Sequence, residues 1–473
     1  MDILFNPVTL SVIVMLALCF LKVNVMLSLI AAALFGAVAS PYLGENSYGF
    51  VGSLLEGMRL IIAGMAGKNN VVLSYILLGG LAAAIASTGI VKILCHKLLG
   101  IFGDKKILTV FIIAGVASLS QNLIPVHIAF IPILIPPLLY VFNKMQLDRR
   151  AVALALTFGL KAPYLFIPMG FGLMFHGIVA ANITNAGLEV SDAAVAGPML
   201  VPALGMLVGL VVGVLFVYNK PRVYENRSVE LEEVKPEDLK FQKKHWLTLV
   251  AILITFGLQV IVRGIGSWGW FGIDQTTLPG GTAGLGLHIG AVAGILFMFI
   301  TRCLPFKEMD DTMRSGVKLM GTIAFVMLAA GGFASVMNAS ATTEGGSAVR
   351  ELVDAIITIS GTSALGISVA TMIIGTIVTM GIGTSFGTVP IIAPIIVPLG
   401  MAGGLSPAAI ICLIGTAAAI GDAGSPASDS TLGPTAGLDA DGQHNHIYDT
   451  CLPTFIYFNI PLIIFGIIGG IIL

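Results

Sequence analysis

The chain has 473 residues, of which 56% are hydrophobic and only 10% charged, and its mean hydropathy is +0.98. Soluble domains carry roughly 25% charged residues, so this composition excludes a soluble protein and requires an all-α polytopic membrane protein. A net charge of −1 offers no basic surface to nucleic acid, and the partners expected are a lipid bilayer and a small solute.

A helix needs about 20 apolar residues to cross a bilayer. On that scale the first half, 1–218, predicts spans at 4–21, 24–41, 71–88 and 197–218, with an interrupted span at 150–175. Asp2 and the missing basic start make the first run a membrane helix rather than a secretory signal. Leu18 before Cys19 argues against a lipoprotein site, and the five cysteines lack metal-type spacing and read as packing residues. The second half, 246–473, predicts spans at 246–263, 286–301, 318–338 and 451–473, and an interrupted one at 407–430. Two long stretches, 107–142 and 364–402, carry Pro132 and Pro136 in one case and Pro394 and Pro398 in the other. Such breaks are tolerated in a membrane only where they are buried in protein or line a water-filled cavity.

Residues 219–245 form the longest hydrophilic segment, with seven basic and six acidic residues. The positive-inside rule places this linker in the cytoplasm. Lys105 and Lys106 precede the first broken stretch, and Lys144, Arg149 and Arg150 follow it, so it reads as a hairpin that enters and leaves on one side. Segments 176–196 and 264–287 have no Lys or Arg and read as external loops; none occurs after Arg350 either, which fits a second hairpin opening outward. Five spans and a hairpin per half give oppositely oriented halves. Colinear echoes support a duplication: Glu56–Leu60 with Ser315–Leu319, in a stretch expected to lie along the interface, and Gly79–Ala82 with Gly331–Ala334.

The first hairpin tip offers Ser118, Ser120, Gln121 and Asn122, and the second offers Thr384, Ser385 and Thr388. Neutral oxygens at unwound helix ends suit Na+, and helix N-termini suit a carboxylate; the plain alternative is close helix packing by small residues. The run Gly421–Thr431 adds Asp422 and Asp429, with Ser425 and Ser428 between them. A carboxylate at membrane depth marks an ion or proton path, whereas in an emerged loop it would only cap a helix. Lys161, beside Ala162 and Pro163, would stand in for a cation, bind a carboxylate, or snorkel to the surface. His127 and His176 are candidate proton carriers, or plain packing residues. His444 and His446, with Asp439, Asp441 and Asp449, read as a solvated loop rather than a metal site.

The pattern Gly421-Asp422, Ser425-Pro426, Ser428-Asp429-Ser430-Thr431 resembles the signature of the NhaC-type Na+/H+ antiporter family, and His446 and Leu452-Pro453 resemble that family's ending. The resemblance covers essentially the whole chain. It implies an ion-transporter fold of two inverted repeats, each of about five helices plus a re-entrant hairpin, with scaffold and transport subdomains that often form a homodimer. It also implies cation sites at Ser120, Asn122, Thr384, Ser385, Asp422 and Asp429. Gln121 and Lys161 are not matched to the antiporter pattern; with Thr388, Ser425 and Ser428 they are assigned to the solute. Overall the chain is most similar to an amino-acid-permease-like branch, with histidine the suspected substrate.

The expectation is therefore no enzyme and no cofactor. It is a bacterial inner-membrane transporter coupled to Na+ or H+, carrying a small organic solute by alternating access. Na+/H+ antiport is the alternative. An intramembrane aspartyl protease, from Tyr448-Asp449 and Gly421-Asp422, is a remote one, because the order of the two motifs is reversed. No Walker-type loop occurs and nothing resembles a channel filter.

Overall fold

The computed structural model describes residues 3–21, 23–66, 69–90, 93, 105–122, 131–225, 227, 240–268, 270–273, 285–426 and 428–473. The side chains of Ser120, Gln121 and Asn122, and the whole of His127, lie outside the described residues.

Helices α1 (Pro7–Phe20), α2 (Val25–Ala39), α3 (Phe50–Ala66) and α4 (Asn69–Ser87) open the chain. Then come α5 (Lys106–Asn122), α6 (Ile131–Lys144), α7 (Arg149–Phe166), α8 (Phe171–Asn185) and α9 (Asp192–Val212), the last running into a π-helical turn, Gly213–Val217. The second half has α10 (Lys243–Trp268), α11 (Gly286–Ile300), α12 (Met309–Ala339), α13 (Ala348–Ser360), α14 (Ala364–Ile382), α15 (Ser385–Ala402), α16 (Pro407–Gly424) and α17 (Asp429–Leu438). A last helical span, α18, covers His446–Ile472. A two-residue antiparallel ribbon, Tyr42–Leu43 with Ser340–Ala341, ties the ends of α2 and α12.

Among the described residues five helices are long and apolar enough to cross a membrane, and the pair α7/α8, bent by 53° at its break, makes a sixth; α1, α2, α11 and other shorter apolar helices fall below that length. The chain is an all-α polytopic membrane protein. The second Pro-rich stretch forms the helix pair α14/α15, the first contains α5 and α6 with the residues between them outside the described ones, and both interrupted spans are broken helices, α7/α8 and α16/α17. Three features differ from the sequence expectation. Residues 176–185, read as the start of an external loop, belong to α8, where His176, Ile178 and Ile183 are buried. Ser315–Leu319 belongs to the 31-residue α12 instead of a separate interfacial stretch, and α13 is an additional amphipathic helix. Its Val349, Leu352 and Val353 are buried on one face, while Arg350, Asp354 and Thr358 are exposed on the other.

The helices sort into two groups, each drawing on both halves of the chain. In one, α12 packs on α2, α3 and α4, and α11 on α4 and α10. In the other, α7 packs on α5 and α9, and α16 on α9, α14, α15 and α18. Helix α12 meets α15 along the seam between the groups. Glycine permits the closest crossings in the first group. A Cβ on Gly79 would lie 2.4 Å from the Gly316 carbonyl oxygen, and one on Gly64 would lie 2.4 Å from that of Gly331. The contacts are reciprocal: shifting 64 and 79 by 252 gives 316 and 331.

Candidate functional site

The break between α7 and α8 is written in its residues. Pro163 sits in the last turn of α7, and Gly170 adopts φ +54°, ψ −123°, a conformation that disfavours any Cβ. The freed backbone groups find new partners, as a membrane interior requires. Ile167 N–H donates to Pro163 O at 2.9 Å, and His176 Nε2 lies 2.7 Å from Leu165 O, bracing the break. In the other half, Pro426 and the Ser425 and Ser428 positions separate α16 from α17. Thr431 Oγ1 donates to the carbonyls of Ser425 (2.6 Å) and Ser428 (2.9 Å), while the Ser428 side chain caps α17 by accepting from Ser430 N–H. The broken helices meet: Thr157 Oγ1 on α7 donates to Ser430 O at 2.8 Å.

The second hairpin tip is a two-residue turn. Gly383, left-handed at φ +73°, closes α14, and Thr384 is the extended N-cap of α15. That leaves Ser385 N–H as one of the unsatisfied donors of a helix N-terminus, and it points at Asp422. Asp422 Oδ2 accepts from Ser385 N–H at 2.8 Å and from Tyr164 O–H at 3.0 Å, and its Oδ1 lies 3.2 Å from Lys161 Nζ. Ser385 Oγ is 2.8 Å from Tyr164 Oη. With the Tyr164 proton given to Asp422, Ser385 becomes the donor in that last bond. Lys161 and Asp422 side chains are 5% and 4% exposed, so Lys161 does not snorkel and Asp422 has not emerged into a loop.

Taking two charges out of water costs several kcal/mol per ion, which their attraction offsets only with good geometry and further hydrogen bonds. Here three donors converge on one carboxylate. Tyr164, Phe175 and Phe386 close over the pair, with Tyr164 stacked on Phe386 at 5.7 Å and edge-on to Phe175 at 5.1 Å. Below the tip, Thr388 Oγ1 donates to Thr384 O (2.8 Å) and to Thr379 Oγ1 (3.1 Å), and Thr379 in turn donates to Ala418 O and accepts from Gly421 N–H. Thr388 thus links the tip to the end of α16.

The structure brings together Lys161, Ser385, Thr388 and Asp422, with Thr384 at the turn itself. Asp429, on the first turn of α17, is exposed but within electrostatic reach of Lys161 and Asp422. Ser118 donates to Ala114 O within its own helix. His176 is fully buried at the α7/α8 break. The sequence reading misses Tyr164 and Thr379. Tyr164 is findable, because it lies three residues after Lys161 and so on the same helix face; Thr379 has no such signal.

The His444 segment corrects an expectation, since it is not a solvated loop. Arg149, fully buried, makes two 2.6 Å bonds to the Asp441 carboxylate and a 2.9 Å bond to Leu438 O. Arg222 Nη1 lies 2.7 Å from Asp449 Oδ1, and His444 Nε2 lies 2.7 Å from Thr450 Oγ1. Asp422 and Asp449 therefore belong to different ion pairs, with Lys161 and with Arg222. They do not form the proton-sharing pair of carboxylates that an aspartyl protease needs.

Two cavities complete the geometry. One of about 230 Å3 lies on the seam between the helix groups, with Asn182, Asn185, Ser335 and Asn338 among its lining residues and Pro390 and Pro394 of α15 along one wall. The other, about 450 Å3, is almost wholly apolar, with Phe158, Phe166, Leu200 and Leu207 in its lining.

Buried opposite charges at a helix break and two helix groups drawn from both halves of the chain are the build of a membrane transporter. Known proteins agree. Over 98% of the chain its fold is similar to that of MtrF of Neisseria gonorrhoeae, described as representing a class of antimetabolite efflux pumps (TM-score 0.63, 17% identity, 94% of that chain). It is likewise similar to the YdaH transporter of Alcanivorax borkumensis, noted for an unusual topology (TM-score 0.60, 14% identity, 98% of each chain). YuiF of Bacillus subtilis, provisionally named an amino acid transporter, is 42% identical over 88% of this chain and 91% of its own length. A membrane protein of Haemophilus influenzae is 40% identical over 99% of both. The chain belongs to the Na+/H+ antiporter family, whose models match residues 155–467 and 6–102.

Proposed function

We propose that this transporter couples a Na+ or H+ gradient to the movement of a small zwitterionic solute, an amino acid such as histidine. The observation that carries this reading is the buried Lys161–Asp422 pair at the α15 N-terminus. Two complementary charges held beside a hairpin tip can divide the work: Lys161 offers an ammonium to the solute's carboxylate, and Asp422 offers a carboxylate to the coupling cation or proton. In the state described here the two groups satisfy each other. A cation or proton at Asp422 would release Lys161 for the solute carboxylate, and the two ligands would then favour each other's binding reciprocally. The rings of Tyr164, Phe175 and Phe386 offer a face to an imidazole or other flat side chain. The name of the YuiF relative supports the amino-acid class.

Movement follows from the seam. The reciprocal glycine contacts support an inverted repeat, in which one helix group slides or rocks against the other while the site stays near the midplane. Pro390 and Pro394 lie five and nine residues beyond Ser385, roughly 8 and 14 Å along the helix, so the cavity on the seam is a route to the tip. Residues 219–245 lie on the cytoplasmic side, in a bacterial inner membrane.

Proteoliposomes given an imposed Na+ or pH gradient and a panel of labelled amino acids test the reading. Uptake should need the gradient, saturate with one amino acid, and fall at least a hundredfold in Asp422→Asn with expression intact. Gradient-driven Na+/H+ exchange with no amino-acid uptake would instead make the protein an antiporter, and wild-type uptake by Asp422→Asn would remove the site.

A further inference from the structure

Asn459 is fully buried, and neither its side-chain oxygen nor its side-chain nitrogen has a hydrogen-bond partner among the described residues. A buried amide left unpaired has given up its hydrogen bonds to water for nothing in return, so its place in the fold requires a reason. Gln259 is the other described side chain with both amide atoms unpaired, but it lies mid-way along α10. Asn459 instead faces the end of a broken helix. A Cβ built on Gly424, the last residue of α16, would lie 2.6 Å from Asn459 Nδ2 and 2.9 Å from Phe455 Cα. Only glycine lets the amide approach the end of α16 this closely. Asn459 also closes the π-helical turn Phe455–Asn459, and such turns inside longer helices frequently mark functional sites.

The end of α16 is a helix C-terminus, where carbonyl groups concentrate about half a negative charge. Amide nitrogen and oxygen are interchangeable in position by a flip of the side chain, so the atom facing Gly424 can be the oxygen. A buried amide oxygen beside a helix C-terminus is chemistry for a monovalent hard cation. A divalent ion would call for several charged oxygens. The position is separate from the Asp422 pair. At 3.6 residues per turn, positions 422 and 424 are about 200° apart around the helix, so Asn459 approaches the face opposite Asp422.

We infer that Asn459 and the C-terminus of α16 form a second, neutral-ligand site for Na+, on the far side of the helix end from Lys161 and Asp422. This deepens the coupling proposed above and rests on it. An ion there would fix the end of α16, and through it the position of Asp422, without competing with Lys161 for the carboxylate.

The test measures Na+ binding to the purified full-length protein, by titrating thermal stability with NaCl against choline chloride at constant ionic strength and by 22Na+ scintillation. Asn459→Leu keeps the shape and removes the oxygen; it should weaken Na+ binding at least tenfold and reduce the bound stoichiometry by one. Asn459→Asp should bind Na+ as tightly as the wild type or more tightly, which covers the case where the leucine variant fails to fold. Gly424→Ala should repeat the loss by pushing the amide away. Wild-type stoichiometry in Asn459→Leu, or loss in both the leucine and aspartate variants, overturns the second site and leaves the Asp422 reading standing. Absence of any Na+-dependent stabilisation or 22Na+ binding in the wild type overturns it too, and H+-driven uptake in the same preparation would show that the transport reading survives.

Discussion

Asp422 is held by one lysine, one backbone N–H and one tyrosine hydroxyl, and these three are not equivalent. Lys161 sets the charge balance, Ser385 N–H ties the carboxylate to the hairpin tip, and Tyr164 orients it while bridging to the Ser385 hydroxyl. A hydrogen bond to a charged group contributes about 1.5–3 kcal/mol. Tyr164→Phe keeps the ring stacking on Phe386 and deletes only the hydroxyl. Because that bond stabilises the ionised, unoccupied carboxylate, its loss favours the coupling cation or proton at Asp422, and the concentration giving half-maximal uptake should fall about tenfold, the low end of that range, with maximal rate little changed. A variant whose ion dependence matches the wild type would show that Tyr164 packs beside the site without acting on it. At this scale the sequence discloses residue types and not partners. Asp422 and Lys161 each stand out as charges in apolar surroundings, yet they are 261 positions apart and nothing in either segment indicates the other. Arg149 and Asp441 likewise read as a flanking charge and a loop residue, because a buried ion pair and a solvated one have the same composition.

The helical elements are far more legible, because prolines and glycines act locally. Pro163, Gly170, Gly383 and Pro426 break helices by steric and hydrogen-bonding rules that operate within a few residues, so the second hairpin and the starts of both broken spans are placed from sequence, while the broken spans run on to Asn185 and Leu438, ten and eight residues past their expected ends. Helix α13 escapes that reading because an amphipathic 13-residue segment lacks the apolar length that marks a span. The continuity of α12 escapes it because its polar first turns and apolar remainder resemble two elements. The reciprocal glycine crossings lead to a measurable symmetry. Gly64→Ala and Gly79→Ala should each destabilise the detergent-solubilised protein by a similar ~1–3 kcal/mol, since each forces a methyl group onto a backbone carbonyl. Gly257→Ala, in α10 with nothing within 4 Å of its added Cβ, should be neutral or mildly stabilising, as expected for alanine in a helix interior. Thermal unfolding of the three variants reads this directly. A large loss at only one of the two crossings would argue that they are not equivalent parts of a repeated unit.

On the scale of the whole molecule, Arg149–Asp441 clamps the segment after α17 to the first half, and Arg222 at the start of the interhalf linker bridges that segment's Asp449 and the first half's Asp148. His444 lies inside this clamp, 3% exposed. Burial pushes its imidazole down to about 4; Asp449 and Asp148 oppose the shift, while Arg149 and Arg222 reinforce it. Burial alone would raise the Asp441 carboxyl, but the hydrogen bond and charge of Arg149 outweigh that and hold it below the usual range. Both groups therefore bind a proton less readily folded than unfolded, and both make stability fall as pH falls. Their windows differ. The unfolded imidazole titrates near 6.5, so the His444 contribution is complete above that pH and is lost as the pH drops from about 6.5 through about 4. The Asp441 contribution persists until the pH falls below the ordinary carboxylate range, near 3.9. Since a tenfold difference in proton affinity is worth about 1.4 kcal/mol, His444 accounts for up to ~3 kcal/mol of stability across its window. His444→Gln, which keeps a hydrogen-bonding side chain opposite Thr450, should flatten the decline of the melting temperature between about pH 6.5 and 4 and leave the steeper loss below it. An unchanged profile would mean that His444 is hydrated and titrates as it does in the unfolded chain. Retention of the low-pH loss would assign that limb to the carboxylates, with Arg149–Asp441 the most deeply buried of the clamp's ion pairs.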